Sequence, residues 1–141
     1  MMKKILLLFC LVFGLSFVPT AQAAMISEKQ EIEMGERAGK ALEAQYGLYQ
    51  DDEVASRIDR IGKALAAHST RQIPYTFKVL NTQDVNALAC PGGFIYVYKG
   101  LVDTMTSDDE LGAVLGHEIG HIEKRHTVHQ IEKQMALSLL T

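Results

Sequence analysis

The sequence predicts an α+β domain, and three observations carry that prediction. Two stretches with helical apolar spacing follow the first 23 residues, strand-like alternation and turn residues fill 74–100, and helical spacing returns after Ser107. Helices and strands that are segregated along the chain, rather than alternating, favour a small sheet with helices packed on it.

The first 23 residues stand outside this domain. Lys3 and Lys4 precede an almost unbroken apolar run over 5–18, Pro19 breaks it, and Ala21-Gln22-Ala23 offers the small-x-small pattern of a cleavage site. This is the layout of a secretory signal peptide cut after Ala23. The apolar core is shorter than the roughly 20 residues of a membrane span. Bulky Phe9 stands before Cys10, where a lipoprotein signal needs a small residue. The expectation is export to the periplasm or the outer-membrane periphery, with peripheral membrane association.

Residues 24–141 then form one small domain of 118 residues with 12 basic and 17 acidic side chains, a net charge of −5. That balance leaves no basic footprint for nucleic acid. Cys90 is the one cysteine remaining, so an intrachain disulfide is excluded. It reads as a small buried apolar residue, or as a thiol within reach of a metal or another thiol.

Ser27 with Gln30 is a capping box that opens a helix carrying Ile32, Ala38, Ala41, Leu42 and Tyr46, ending at Gly47. Gly35 and Gly39 share one side of it, where another element could approach closely. Asp51 or Asp52 caps a second helix with Val54, Ile58, Ile61 and Leu65 at helical spacing. Residues 75–80 alternate as a half-buried strand, 85–89 form a short strand, and Pro91-Gly92-Gly93 is a turn. Residues 94–98, FIYVY, are the clearest strand, closed by Gly100. Ser107 with Glu110 opens a third helix whose Leu111, Val114, Leu115, Ile119 and Ile122 cover one broad side. Thr127 with Gln130 resembles a further capping box and points to a break near His126, after which Val128, Ile131 and Met135 form a new stripe.

Chemistry is concentrated in GHEIGH, residues 116–121. Helical positions four apart lie one above the other, so His117 and His121 can turn ring nitrogens toward one metal ion at the roughly 2.0–2.1 Å that zinc prefers. Glu118 sits about 100° around the helix, too far round for a third ligand but placed to reach a water on the metal. Zinc lowers the pKa of such water and the carboxylate can take its proton during attack on a peptide carbonyl. The competing reading is an ordinary helix that happens to carry these residues. Thr127 stands where a third histidine would mark the metzincins, and on a continuing helix His126 would rotate about 140° from His121. His126 and His129 therefore read as outer residues or solvated ones, and a glutamate from a later helix, as in gluzincins, remains the option for a third ligand.

Two segments, NALACPGGFIYVYKGLVD and DDELGAVLGHEIGHIEKRH, resemble the zinc metallopeptidases of the M class, family 48, the group of the HtpX-like and CAAX prenyl endopeptidases. Asn86, Ala87, Pro91, Gly92, Gly93, His117, Glu118, His121, Arg125 and His126 match the pattern. Leu88, Cys90 and Gly112 depart from it in size or type. The resemblance covers about residues 28–135. It implies a zincin-like, minimal gluzincin domain with one zinc ion on His117 and His121 and with Glu118 as general base. It also implies that residues 94–98 lie above the zinc, where an extended polypeptide could pair with an exposed edge. Asn86, Pro91, Gly92, Gly93, Phe94, Ile95 and Tyr96 are then the expected substrate-binding residues, although sheet packing alone also accounts for the tyrosines. The family's third ligand is a glutamate well downstream, expected beyond residue 141, so the sequence reads as the front part of a longer enzyme. The expected function is a zinc-dependent endopeptidase acting on misfolded or extended envelope proteins. The alternatives are a module that binds unfolded polypeptide without cleaving it, and a structural helical domain.

Overall fold

The computed structural model describes residues 25–140, and the export segment expected over 1–23 lies outside them. Helix α1, Glu28–Tyr46, opens on the Ser27 capping box with both reciprocal hydrogen bonds present and stops at Gly47, whose φ is 72°. Helix α2, Asp52–Ala66, is capped by the Asp51 carboxylate, which accepts the N–H groups of Glu53 and Val54. Each such cap is worth about 1 kcal/mol, which pins where these helices begin.

Three short strands follow, β1 at Thr76–Leu80, β2 at Ala87–Cys90 and β3 at Phe94–Tyr98. They form one mixed sheet in the order β1-β3-β2, with β1 parallel and β2 antiparallel to β3. The β2–β3 hairpin turns at Pro91-Gly92-Gly93, where Gly92 and Gly93 have φ of 78° and 102°. Both values favour glycine because an added Cβ would crowd the backbone. A short helix, α3 at Lys99–Val102, sits where the sequence reading had only a strand end. Its Gly100 is there for a close approach: a Cβ would fall 2.1 Å from the Gln83 carbonyl oxygen. Helix α4, Asp108–Glu123, and helix α5, His126–Ser138, complete the chain. No helix among the described residues is long and apolar enough to cross a membrane.

The period-2 pleat divides the sheet's side chains between two layers. Phe77, Val79, Ile95 and Val97 join Ile58, Ile61, Leu111, Leu115, Ile119 and Ile122 in the main core under α2 and α4. Leu80, Cys90, Tyr96 and Tyr98 form a second cluster with Leu42 and Tyr46 of α1 on the other side. Strand β1 is thus covered on both faces at Leu80, where the sequence reading had one face solvated.

Helix α1 also departs from expectation. Its buried line is Glu31, Gly35 and Gly39, while Ala38 and Ala41 are exposed. The two glycines explain this: a Cβ at Gly35 would lie 1.7 Å from the Pro91 carbonyl oxygen, and one at Gly39 2.3 Å from the Tyr96 hydroxyl. The helix packs by backbone proximity at Gly35 and Gly39 and by the side chains of Leu42 and Tyr46 farther along.

The chain breaks between α4 and α5 at Arg125, which adopts φ 50° and ψ 36°, the left-handed region. A break here was expected, but the Thr127 cap was not found: α5 starts at His126 and has no side-chain cap.

Candidate metal and catalytic site

Helix α4 is fixed in rotation before any metal chemistry is considered. The Ser107 hydroxyl accepts the Glu110 N–H at 3.2 Å, and Arg57 and Arg60 of α2 donate to the Asp108 carboxylate at 2.7 and 3.0 Å. Leu111, Leu115, Ile119 and Ile122 drive one side of the helix into the core. The opposite side is bare: an added Cβ at Gly116 or Gly120 would meet nothing within 4 Å. His117 and His121 emerge between these sides, with Glu118 at the margin of the core, 9% exposed.

The two ring Nε2 atoms of His117 and His121 converge to 3.0 Å. Two nitrogens on a tetrahedral ion at zinc's bond length stand about 3.3 Å apart, so the pair fits one zinc ion with a small adjustment. Imidazole donors suit that ion. The other nitrogen of His121, Nδ1, lies 2.8 Å from Nδ1 of His126. Among the described residues, no group of three His, Cys, Asp or Glu side chains converges as a complete metal cage. Burial pushes the Cys90 thiol up to about 11, which keeps it protonated and a poor ligand. Glu123 and Glu132, read from sequence as solvated, are engaged elsewhere. Glu123 accepts the Thr70 N–H at 2.7 Å and Glu132 the Ile26 N–H at 2.9 Å.

Among the described residues Glu118 has no hydrogen-bond or ion-pair partner, and its oxygens are not sealed from solvent. It faces an open cleft of about 460 Å³ in which His117, Ala113 and Val114 of α4 stand across from Asn86 and Ala87. The carboxylate is therefore within reach of a group that enters the cleft.

The predicted polypeptide-binding residues divide at this point. Asn86 lines the cleft, whereas β3, residues 94–98, is the central strand with both edges paired. The expectation that β3 offers an exposed edge is therefore corrected: Ile95 and Tyr96 are buried, and their backbone groups are held by β1 and β2. Gly92 and Gly93 serve the turn, fitting against Ile32 and the Pro74 carbonyl. The edge beside the cleft belongs to β2. The outer side of β1 is taken by the Leu48–Leu80 bridge, and among the described residues no strand pairs with the outer side of β2. The Tyr98 N–H donates to the Asn86 carbonyl, so antiparallel alternation turns the backbone groups of Ala87 and Ala89 outward. The outward Ala87 N–H is met by Asn86 Oδ1 at 2.9 Å.

Sequence reasoning missed Glu31. It is 1% exposed and joins three parts of the chain. Its carboxylate accepts from Arg71 at 2.8 and 3.1 Å, from Arg125 at 2.9 Å and from the Gly92 N–H at 3.2 Å. Burial alone would raise its pKa, but the hydrogen bonds and charges of Arg71 and Arg125 outweigh burial and hold it below the ordinary value. No local pattern distinguishes Glu31 from the exposed Glu28 and Glu33 beside it.

Comparison with known proteins agrees with this geometry. The family model described as Peptidase family M48 matches residues 49–141. The chain is 36% identical to the metalloprotease LoiP of Escherichia coli over 121 residues, 85% of this chain and 46% of that protein. It is 30% identical to the beta-barrel assembly-enhancing protease of Yersinia pestis over 125 residues, 88% of this chain and 26% of that protein. The metalloprotease YcaL of Escherichia coli is 37% identical over 92 residues, 61% of this chain and 36% of that protein. The chain thus spans between about a quarter and a half of the length of these relatives. With the family model covering most of the sequence, and with HEIGH standing on a half-buried helix beside an open cleft, the chain belongs to peptidase family M48.

Proposed function

We propose that this chain carries the zinc and water-activating half of a metalloendopeptidase site. The observation that carries the proposal is the approach of His117 Nε2 and His121 Nε2 to 3.0 Å, with His117 sharing an open cleft with a Glu118 that no described group partners. When bound, zinc would lower the pKa of a water molecule and polarise the scissile carbonyl. Glu118 would accept the proton of the attacking water on a carboxylate oxygen and deliver it to the departing amine nitrogen. Catalytic zinc takes three protein ligands, so the third comes from outside the described residues.

An extended polypeptide would add to the outer side of β2, using the carbonyl of Ala87 and both backbone groups of Ala89. Backbone pairing of this kind selects for extended chain over particular side chains. Asn86 already occupies the Ala87 N–H and so ends the ladder there. Misfolded or extended envelope proteins are the proposed substrates, in keeping with the sequence features of export at 1–23. The unpaired outer edge of β2, which can hold an extended chain whether or not a bond is cut, also suits a second reading, a module that holds polypeptide without cleaving it.

The test is zinc content together with cleavage of an unfolded protein such as casein, with and without chelator. Chelator-sensitive cleavage lost in Glu118→Gln supports the peptidase. Binding of unfolded chain with no cleavage at any zinc concentration supports the second reading. A wild-type chain that takes up no zinc overturns the first.

A further inference from the structure

Resting on the zinc site proposed above, we infer that His126 is a positioning residue that fixes the tautomer and ring orientation of His121. On an unbroken helix His126 would point about 140° away from His121. The break changes this. Arg125 takes the left-handed conformation, and the turn it makes brings the His126 ring to 4.9 Å from the His121 ring, centroid to centroid, at 73° between planes. The contact is between two Nδ1 atoms at 2.8 Å, the distance of a hydrogen bond.

Proton placement follows from the other end of His121. Its Nε2 faces Nε2 of His117, so a metal on that pair takes the Nε2 lone pair of both rings. Neutral His121 must then carry its proton on Nδ1 and donate it. The acceptor is Nδ1 of His126, which keeps its own proton on Nε2. A ligating histidine whose second nitrogen donates to a fixed acceptor is held in orientation and made a stronger donor to the metal. His126 supplies that acceptor from a side chain five residues away.

Arg125 has its conformation for a reason the fold makes visible. A left-handed non-glycine residue costs about 1–2 kcal/mol, so a glycine would suit the backbone better. The arginine stays because its guanidinium donates to Glu31 at 2.9 Å and to the Ile26 carbonyl at 2.6 Å. Glu31, Arg125 and His121 line the same small gap, of about 10 Å³. The break is therefore anchored to α1 directly behind the metal-binding ring, and His126 inherits its place from that anchor.

The experiment measures zinc affinity of the full chain by competition with a chromophoric chelator, for wild type, His126→Ala, His126→Phe and His126→Asn. Asparagine places Oδ1 where histidine has Nδ1, so it can accept the same hydrogen bond while being a weak zinc ligand. The expected result is affinity about 10–100-fold weaker in His126→Ala and His126→Phe, with His126→Asn close to wild type. Melting of the metal-free proteins should be unchanged, since His126 is exposed. Wild-type affinity in His126→Ala and His126→Phe overturns the inference. Loss in His126→Asn equal to that in His126→Ala also overturns it, because it makes His126 a ligand instead. His117→Ala serves as the control: if it binds zinc as tightly as wild type, the zinc site itself fails, and this inference with it.

Discussion

Glu31 and Glu118 are both nearly buried glutamates on helices that flank the same sheet, at 1% and 9% exposure, and their surroundings are opposite. Glu31 of α1 is met by two guanidinium groups and a backbone N–H. Glu118 of α4 is met by no described group and opens onto a cleft. A carboxylate removed from water is stable only when its charge is answered. Glu31 is answered within the fold. Glu118 remains available to answer something that arrives. Two acids of similar burial thus differ in what meets them, and only the partners tell them apart.

The comparison breaks most directly at Glu118. Replacing it with glutamine should lower hydrolysis by about 10²–10⁴-fold in the zinc-loaded protein while leaving the melting temperature at or above that of wild type. A lowered melting temperature would show that Glu118 is structural after all.

The converse holds at Glu31. Removing one partner of a buried, hydrogen-bonded ion pair typically costs about 3–5 kcal/mol. Glu31→Ala should therefore lower the melting temperature by roughly 10 °C or more for a domain of this size. A shift of only a few degrees would place the hub among surface ion pairs.

Arg125→Gly sharpens the contrast within the hub. It relieves about 1–2 kcal/mol of left-handed strain and removes the bonds to Glu31 and Ile26. Destabilisation smaller than that of Glu31→Ala, accompanied by weaker zinc binding, is expected. A variant more stable than wild type would show that the guanidinium contributes nothing.

Acid provides a milder probe. The folded-state pKa of Glu31 is held below the ordinary 4.5, so its contribution is complete above that value. It is lost as the pH falls through the depressed folded value. Melting curves of wild type and Glu31→Gln between pH 7 and 3 should differ most above pH 4.5 and converge below it. A constant gap down to pH 3 would place the stabilisation elsewhere. At the small end, Glu36→Gln breaks a fully exposed pair with Lys40 and should not move the melting temperature.

Local chemistry made much of this molecule legible in advance. Ser27, Asp51 and Ser107 state where three helices begin because capping is a matter of one side chain and the next few N–H groups. The strand at 94–98 and the His117–Glu118–His121 arrangement follow from periodicity in the same way. What escaped depends on distant partners. Strand β3 became central because β1 and β2 both chose it, and nothing inside FIYVY says so. Gly35 and Gly39 announced a close approach, yet nothing local says that Pro91 and Tyr96 make it, or that Ala38 and Ala41 beside them stay exposed. The position of His126 could not be read because it hangs on a left-handed arginine held by a glutamate 94 residues away.

That separation has a consequence for the order in which the molecule is assembled. The bonds from Arg125 to Glu31 and to Ile26, and from Ile26 to Glu132, close loops of 94, 99 and 106 residues. Contacts so far apart along the chain form late, because the entropy of closing the loop must be met before they are made. Along the chain α1 precedes both counter-charges of Glu31, which come only at Arg71 and then at Arg125. Helix α4 can therefore be wound, with both histidines in place, while the segment behind them is still unanchored. Alignment of the His117 and His121 rings becomes a late event in folding, set only once the segment behind them is anchored.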